Sequence, residues 1–259
     1  MRPREHVTSV GATFDDLRRL VRAEVRATVV TWVGPASDPA ASDAPSPLGR
    51  RLIVTSAGER LGSLGSTEID RRAIAASAEA TESGIVTLAT GEGEIELFVE
   101  LLQPPPKLIV VGAVHVAVHL VHFAKRLGFR CLVLDARAVF ATAERFPHAD
   151  ELIVAWPSKT LEQLPIHDET YCVFLTHDPK LDDPAIAVAL RREARYVGAL
   201  GSKRTHAKRI ESLRELGVAD DLIQRIHAPI GLDLGGRKPE EIALAIAAEL
   251  VAVRYGRAE

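Results

Sequence analysis

Two cysteines stand in a chain of 259 residues, Cys131 and Cys172. Both fall in apolar runs that read as buried strands. Neither has a partner at metal-ligand or redox-motif spacing, which argues against a thiolate metal site or a dithiol redox centre. Charge of one sign is also lacking: 32 basic side chains face 35 acidic ones, for a formal net charge of -3. Binding to a nucleic-acid backbone needs a clear basic excess, so no nucleic-acid partner is expected. No apolar run approaches the roughly 20 residues of a spanning helix, so no membrane partner is expected either. The charged start, Met1-Arg2-Pro3-Arg4-Glu5-His6, is not followed by the apolar stretch of a signal peptide, which predicts a cytoplasmic protein.

What is present is ordinary globular composition, 47% hydrophobic and 26% charged, at a length that suits one large domain or two modest ones. Composition breaks at Gln103-Pro104-Pro105-Pro106-Lys107, where three prolines can continue neither a helix nor a paired strand. This predicts an N-terminal domain over 1–102, a proline-rich linker over 103–107 and a second domain over 108–259. In the first, Thr13 can cap a helix over 14–26, with Asp15 and Asp16 suited to its positive first turn. Strands are expected at 27–33 and 51–55. Ser66 or Thr67 can cap a helix reaching about residue 82. Strands at 85–89 and 94–101 flank Gly91-Glu92-Gly93, a hairpin signal. Residues 34–49, rich in Pro, Ala, Ser and Asp, read as an exposed loop. The result is a small α+β unit without a chemical signature of its own.

The second domain alternates short unbroken apolar runs with helical patterns. Strands are expected at 107–111, 130–134, 151–155, 171–175, 195–200 and 227–230. A helix runs to about 127, and others span 183–194, 203–216 and 239–255. Strands without alternation, spaced by helices, predict a Rossmann-like parallel sheet with helices on both faces. The fold class is therefore α/β, with a smaller α+β domain before it.

Ligands of an open parallel sheet bind beyond the carboxyl ends of its strands. Those ends carry Gly112-Ala113-Val114-His115, Asp135-Ala136-Arg137, Thr176-His177-Asp178, Gly201-Ser202-Lys203-Arg204 and Gly231-Leu232-Asp233. Five polar or glycine-bearing loops on one edge predict a ligand crevice. Gly112 opens a dinucleotide-type turn, but Val114 stands where a middle glycine normally lets the backbone approach a pyrophosphate, which argues against nicotinamide dinucleotide in its usual pose. Asp135, 23 positions after Gly112, can accept from a ribose or cap its own turn, and Arg137 can meet a phosphate or be solvated. Gly201, Ser202, Lys203 and Arg204 make the best anion site: a turn glycine, a helix cap and two cations where backbone N–H groups are unpaired. His177 beside Asp178 suits an acid/base, a ligand contact or a turn former. His115, His119 and His122 share helical spacing without an accompanying carboxylate, so no metal site is expected.

Residues 108–137 (LIVVGAVHVAVHLVHFAKRLGFRCLVLDAR), 196–204 (YVGALGSKR) and 229–250 (PIGLDLGGRKPEEIALAIAAEL) resemble the xanthine dehydrogenase accessory protein family, XdhC/CoxI. The resemblance covers nearly all of 107–257, and GSKR followed by PIGLDLG and PEEIA is its specific part. It extends more weakly over 26–100. It implies a chaperone, often dimeric, that binds molybdenum cofactor (molybdopterin or its dinucleotide form), assists its sulfuration and delivers it to a molybdenum hydroxylase such as xanthine dehydrogenase. A cysteine desulfurase and a second copy of the chain are implied partners. The cofactor-binding residues implied are Gly112, His115, Asp135, Arg137, His177, Asp178, Gly201, Ser202, Lys203, Arg204 and Gly231, with no catalytic residue and no protein-held metal. The family's N-terminal cysteines are absent: the matching turns read Gly62-Ser63-Leu64-Gly65-Ser66-Thr67-Glu68 and Thr90-Gly91-Glu92-Gly93. A hydroxyl does not replace a soft thiolate toward molybdenum or in sulfur transfer. The competing readings are an NAD(P)-binding oxidoreductase and a degenerate nucleotide-binding paralogue.

Overall fold

The computed structural model describes residues 11–23, 25–34, 46–80, 82–91 and 93–257. Most of the predicted loop over 34–49 lies outside the described residues, as does Glu92 of the predicted hairpin. The chain divides into two compact units, Met1–Pro104 and Pro105–Glu259.

The first unit holds a five-stranded antiparallel sheet in the order β3-β2-β1-β5-β4, formed by Arg60–Gly62, Arg51–Thr55, Ala27–Trp32, Gly93–Leu102 and Gly84–Thr90. Alternation fixes its faces. Along β5, Ile95, Leu97 and Val99 are buried and their neighbours are exposed. Helix α1, Phe14–Arg22, starts at a capping box in which Thr13 and Asp16 satisfy each other's backbone N–H groups. It stops four residues before the expected end. Ser66 caps α2, Thr67–Ala78, by accepting from the Ile69 N–H. The Ser63–Ser66 turn is built around a buried Leu64 and held by Asp70, which accepts from the Leu64 N–H at 2.7 Å and the Ser63 hydroxyl at 2.7 Å.

The second unit is a six-stranded parallel sheet in the order β11-β10-β9-β6-β7-β8. The strands are Ile226–His227, Tyr196–Ala199, Thr170–Phe174, Lys107–Val111, Arg130–Leu134 and Glu151–Ile153. Lys107 thus opens β6 rather than closing the linker. Counted from β6, the order is six-five-four-one-two-three, the doubly wound arrangement, and strand order reverses between β6 and β9. Alternate residues feed two cores. Leu108, Val110, Cys131, Val133, Tyr171 and Val173 face α3 (His115–Arg126) and α8 (Pro239–Arg254). Ile109, Val111, Leu132, Cys172 and Phe174 face α4 (Pro157–Gln163), α5 (Pro179–Arg191), α6 (Lys203–Glu215) and α7 (Asp220–Ile223).

The two cysteines therefore lie in opposite layers. Burial pushes each thiol up to about 12.

Helix α5 begins one turn earlier than the expected 183. Two prolines compete for its first position, and Asp178, accepting from the Lys180 N–H at 3.0 Å, selects Pro179. Pro184 then lies inside the helix. The sequence reading missed β3, α4 and α7, all of seven residues or fewer.

Candidate functional site

In a doubly wound sheet ligands bind beside the strand-order reversal, here between β6 and β9, and Gly112 follows the end of β6 at that point. Its φ is +107°, and a Cβ there would lie 3.0 Å from the Thr176 backbone nitrogen and 3.1 Å from the Leu175 carbonyl carbon. Only glycine fits, because it must cross beneath the β9 loop in a conformation that side chains rarely adopt. Val114 follows as the N-cap of α3 and offers no side-chain cap, so the first N–H groups of the helix are left to the crevice. His115 is exposed on that first turn. His119 and His122 follow on the exposed face, and His122 meets His148 edge-on at 5.1 Å. No cluster of three metal-ligating residues occurs among the described residues.

Asp135, at the end of β7, is fully buried. Its Oδ2 accepts from the Ala113 N–H at 2.8 Å and Arg137 Nη2 at 2.9 Å. Its Oδ1 accepts from the Arg137 N–H and Nε, each at 2.9 Å. Burial would raise its pKa, yet these hydrogen bonds and the guanidinium hold it below the ordinary carboxylate value. With four donors on two oxygens, the carboxylate anchors Arg137 and the glycine turn rather than waiting for a ribose. The Arg137 guanidinium lies 4.5 Å from the centre of the Phe140 ring, and Arg145 approaches the same ring at 5.8 Å. Arg145 Nη1 also donates to the Ala113 and Phe140 carbonyls. Neither Phe140 nor Arg145 was singled out from the sequence, since nothing local ties Arg145 to a loop 32 residues earlier.

At β9 the loop turns through His177, one of two described non-glycine residues at positive φ (+60°). His177 is exposed there, and histidine tolerates the left-handed region better than most side chains. Asp178 caps α5. Beneath it Thr176 accepts from the Asp178 N–H at 3.1 Å and donates to the buried Asp182 Oδ1 at 2.7 Å. Next to Asp182, Asp183 pairs with Arg209 of α6 at 3.2 Å, and both are almost wholly buried. This network was not legible, because an early helix start was needed to turn Asp182 and Asp183 inward.

Ser202 caps α6, accepting from the Thr205 N–H at 3.2 Å. Gly201 enters at φ +148°. Lys203 and Arg204 are exposed, and neither has a hydrogen-bond or ion-pair partner among the described residues. Two such cations on a helix N-terminus are of the kind that suits an anion. Gly231, φ +90°, packs its backbone against α8, where a Cβ would meet the Ile246 nitrogen at 3.1 Å. Its N–H donates to the buried Glu249 at 2.8 Å, which also binds His227 at 3.0 Å and the Tyr196 hydroxyl. Glu249, missed in the sequence, is the anchor of that loop. A cavity of about 280 Å³ in this unit lies elsewhere, lined by His206, Ile210, Arg214 and Ile223, and none of the candidate residues borders it.

Matching against protein families places the XdhC Rossmann domain over residues 108–250, more than half of the chain. The chain belongs to the XdhC family. Curated relatives agree. This XdhC chain is 32% identical over 158 residues to a protein of Bacillus subtilis described as a probable xanthine dehydrogenase subunit, covering 61% of this chain and 46% of that protein. It is 31% identical over 126 residues to the molybdenum cofactor insertion chaperone PaoD of Escherichia coli, covering 49% and 39%. With the uncharacterised Escherichia coli protein YqeB it shares 27% over 219 residues, 79% and 40%. The XdhC chain thus spans less than half the length of these relatives. A crystal structure of a Bacillus halodurans xanthine dehydrogenase has the same fold, with a TM-score of 0.54 at 19% identity, covering 94% of this chain and 96% of that one.

Proposed function

We propose that the carboxyl edge of the second unit holds molybdenum cofactor and that the protein delivers it to a molybdenum hydroxylase of the xanthine dehydrogenase type. The observation that carries this reading is the anion seat: Lys203 and Arg204, without partners among the described residues, on the capped N-terminus of α6. Across the crevice, Arg137 is fixed by Asp135 and the first turn of α3 lacks a side-chain cap. The two places suit separate anionic groups of a pterin cofactor, and the relatives' names supply the cargo and the recipient.

The residues fit the organic part of the cofactor better than its metal. When bound, the cofactor brings molybdenum on its own dithiolene, and this chain adds no accessible thiolate: both its thiols are buried with pKa values raised to about 12. The chain's part is to seat the phosphate, shape the crevice through Gly112 and Gly231, and place His177 at its rim. Sulfuration through a thiol of this chain is therefore outside the proposal. A cysteine desulfurase, a homodimer and a cytoplasmic location stay implications of the family resemblance. No described helix is long and apolar enough to cross a membrane.

An NAD(P)-dependent oxidoreductase is the second reading, favoured by the doubly wound topology. Val114 and the engaged Asp135 weigh against its usual dinucleotide pose. The test is transfer: the purified protein, loaded with molybdopterin and molybdate, should activate an apo molybdenum hydroxylase. A Lys203→Ala, Arg204→Ala double variant should lose most of that activation. Equal activation by the variant would remove the seat from the account.

A further inference from the structure

The end of β7 differs from what the fold leads one to expect. An acidic residue there usually accepts from a ribose diol. Here all four bonds to the Asp135 carboxylate come from the protein, three of them from Arg137. What faces the crevice at this position is the guanidinium. It is held in one geometry by Nε and Nη2, rests on Phe140 at 4.5 Å, and its side chain is 39% exposed. Nη1, with two protons, has no hydrogen bond among the described residues. Arg145, on the same ring, spends its Nη1 on carbonyl oxygens, and Asp135 is the one carboxylate bonded to Arg137 among the described residues. The carboxylates of Asp178 and Asp182 also act on Arg137, but neither bonds to it.

We infer that the β7 end is a phosphate-monoester subsite, in which Arg137 Nη1, braced by Asp135 and Phe140, selects a terminal phosphate over a ribose diol. A planar fork already fixed by its partner loses little freedom on binding and discriminates by hydrogen-bond geometry. The inference rests on the reading that this crevice takes a phosphate-bearing cofactor, and it narrows the form. Molybdopterin ends in a phosphate monoester. Its dinucleotide forms tie that phosphate into a pyrophosphate and present a ribose diol instead. A second source of the same chemistry is the 2′-phosphate of a nucleotide.

Two ligand pairs that differ only in the monoester test it: oxidised molybdopterin against its phosphatase-treated form, and NADP⁺ against NAD⁺, each titrated by calorimetry into the full chain. In at least one pair the phosphorylated member should bind about tenfold to a hundredfold tighter, the weight of one charge-assisted hydrogen-bonded contact. Arg137→Gln should abolish that advantage, and the pair that shows it names the source. Asp135 keeps its bonds from the two backbone N–H groups in this variant. Should it nonetheless melt early, Arg137→Met, which keeps an apolar stem against Phe140 and carries no charge, replaces it. Binding without discrimination in either pair, or an advantage that survives in the variant, overturns the inference and leaves the carrier reading standing. Discrimination confined to NADP⁺ supports the inference and counts against the carrier. No binding of any probe overturns both.

Discussion

Asp182 and Asp183 are neighbours on α5 that differ in their partners: Asp183 Oδ1 lies 3.2 Å from Arg209 Nε, while Asp182 Oδ2 is buried without a hydrogen-bond partner among the described residues. Burial, reinforced by Asp183 and only partly offset by Thr176 and Arg209, raises the Asp182 carboxyl from 3.8 to about 6. The folded state therefore holds this proton more tightly than the unfolded chain does. Stability should fall as pH rises from about 4 to about 6, and the cost should be fully present above that. Asp182→Asn should accordingly raise the melting temperature at pH 7.5 and change it little at pH 4, an effect of at most about 3 kcal/mol. Calorimetric melting of both proteins across that range checks it. A variant that is destabilised equally at all pH values would contradict it.

Glu249 should show the opposite slope. Burial would raise it, but hydrogen bonds from His227, Tyr196 and Gly231 outweigh burial and hold its carboxyl below the ordinary value of 4.5. Its contribution is present above the unfolded pKa and is lost as pH falls through the lower folded one. Glu249→Ala leaves the Tyr196 hydroxyl and the Gly231 N–H without their acceptor, at a cost of roughly 2–5 kcal/mol at neutral pH. Urea denaturation gives the number. A change under about 0.5 kcal/mol, the size of an ordinary surface substitution, would mean that the Gly231 loop is held by something else.

Gly112→Ala should damage both fold and site. The φ of +107° and a Cβ 3.0 Å from the Thr176 nitrogen leave no room, and the strain is about 1–3 kcal/mol before neighbours shift. Thermal melting should detect the loss, and ligand affinity should fall with it. Full stability and binding in this variant would show that β6 and β9 do not meet as described.

Lys203→Ala with Arg204→Ala should do the reverse, weakening ligand binding tenfold to a hundredfold while leaving stability within about 0.5 kcal/mol. Both side chains are exposed and unpaired among the described residues, so little folded structure depends on them. Binding to the unmutated protein should also weaken with salt, and the double variant should show a shallower salt dependence.

The parallel sheet was legible because its strands are short unbroken apolar runs: β6 and β7 have the expected bounds, as does β2 of the first unit. Loop glycines at 112, 201 and 231 were legible because each follows such a run, and all three have positive φ. Interactions across the sequence were not. The spacing of Asp135 and Arg137 is visible in the chain, but whether the carboxylate serves the arginine or a ligand depends on the Ala113 N–H, 22 residues away. Asp183 and Arg209 meet across 26 residues, and their burial depends on α5 starting at Pro179, a choice that Asp178 makes and periodicity does not. Glu249 reads as an ordinary helical glutamate until Tyr196, His227 and Gly231 close around it.

The central claim is that the crevice carries molybdenum cofactor, and it is tested most directly by what the protein holds. Mass spectrometry of the ligand released from protein purified without oxygen, with molybdenum quantified on the same sample, should return a molybdopterin together with the metal. NAD(P) in its place, or protein that holds no cofactor even after loading, would contradict it.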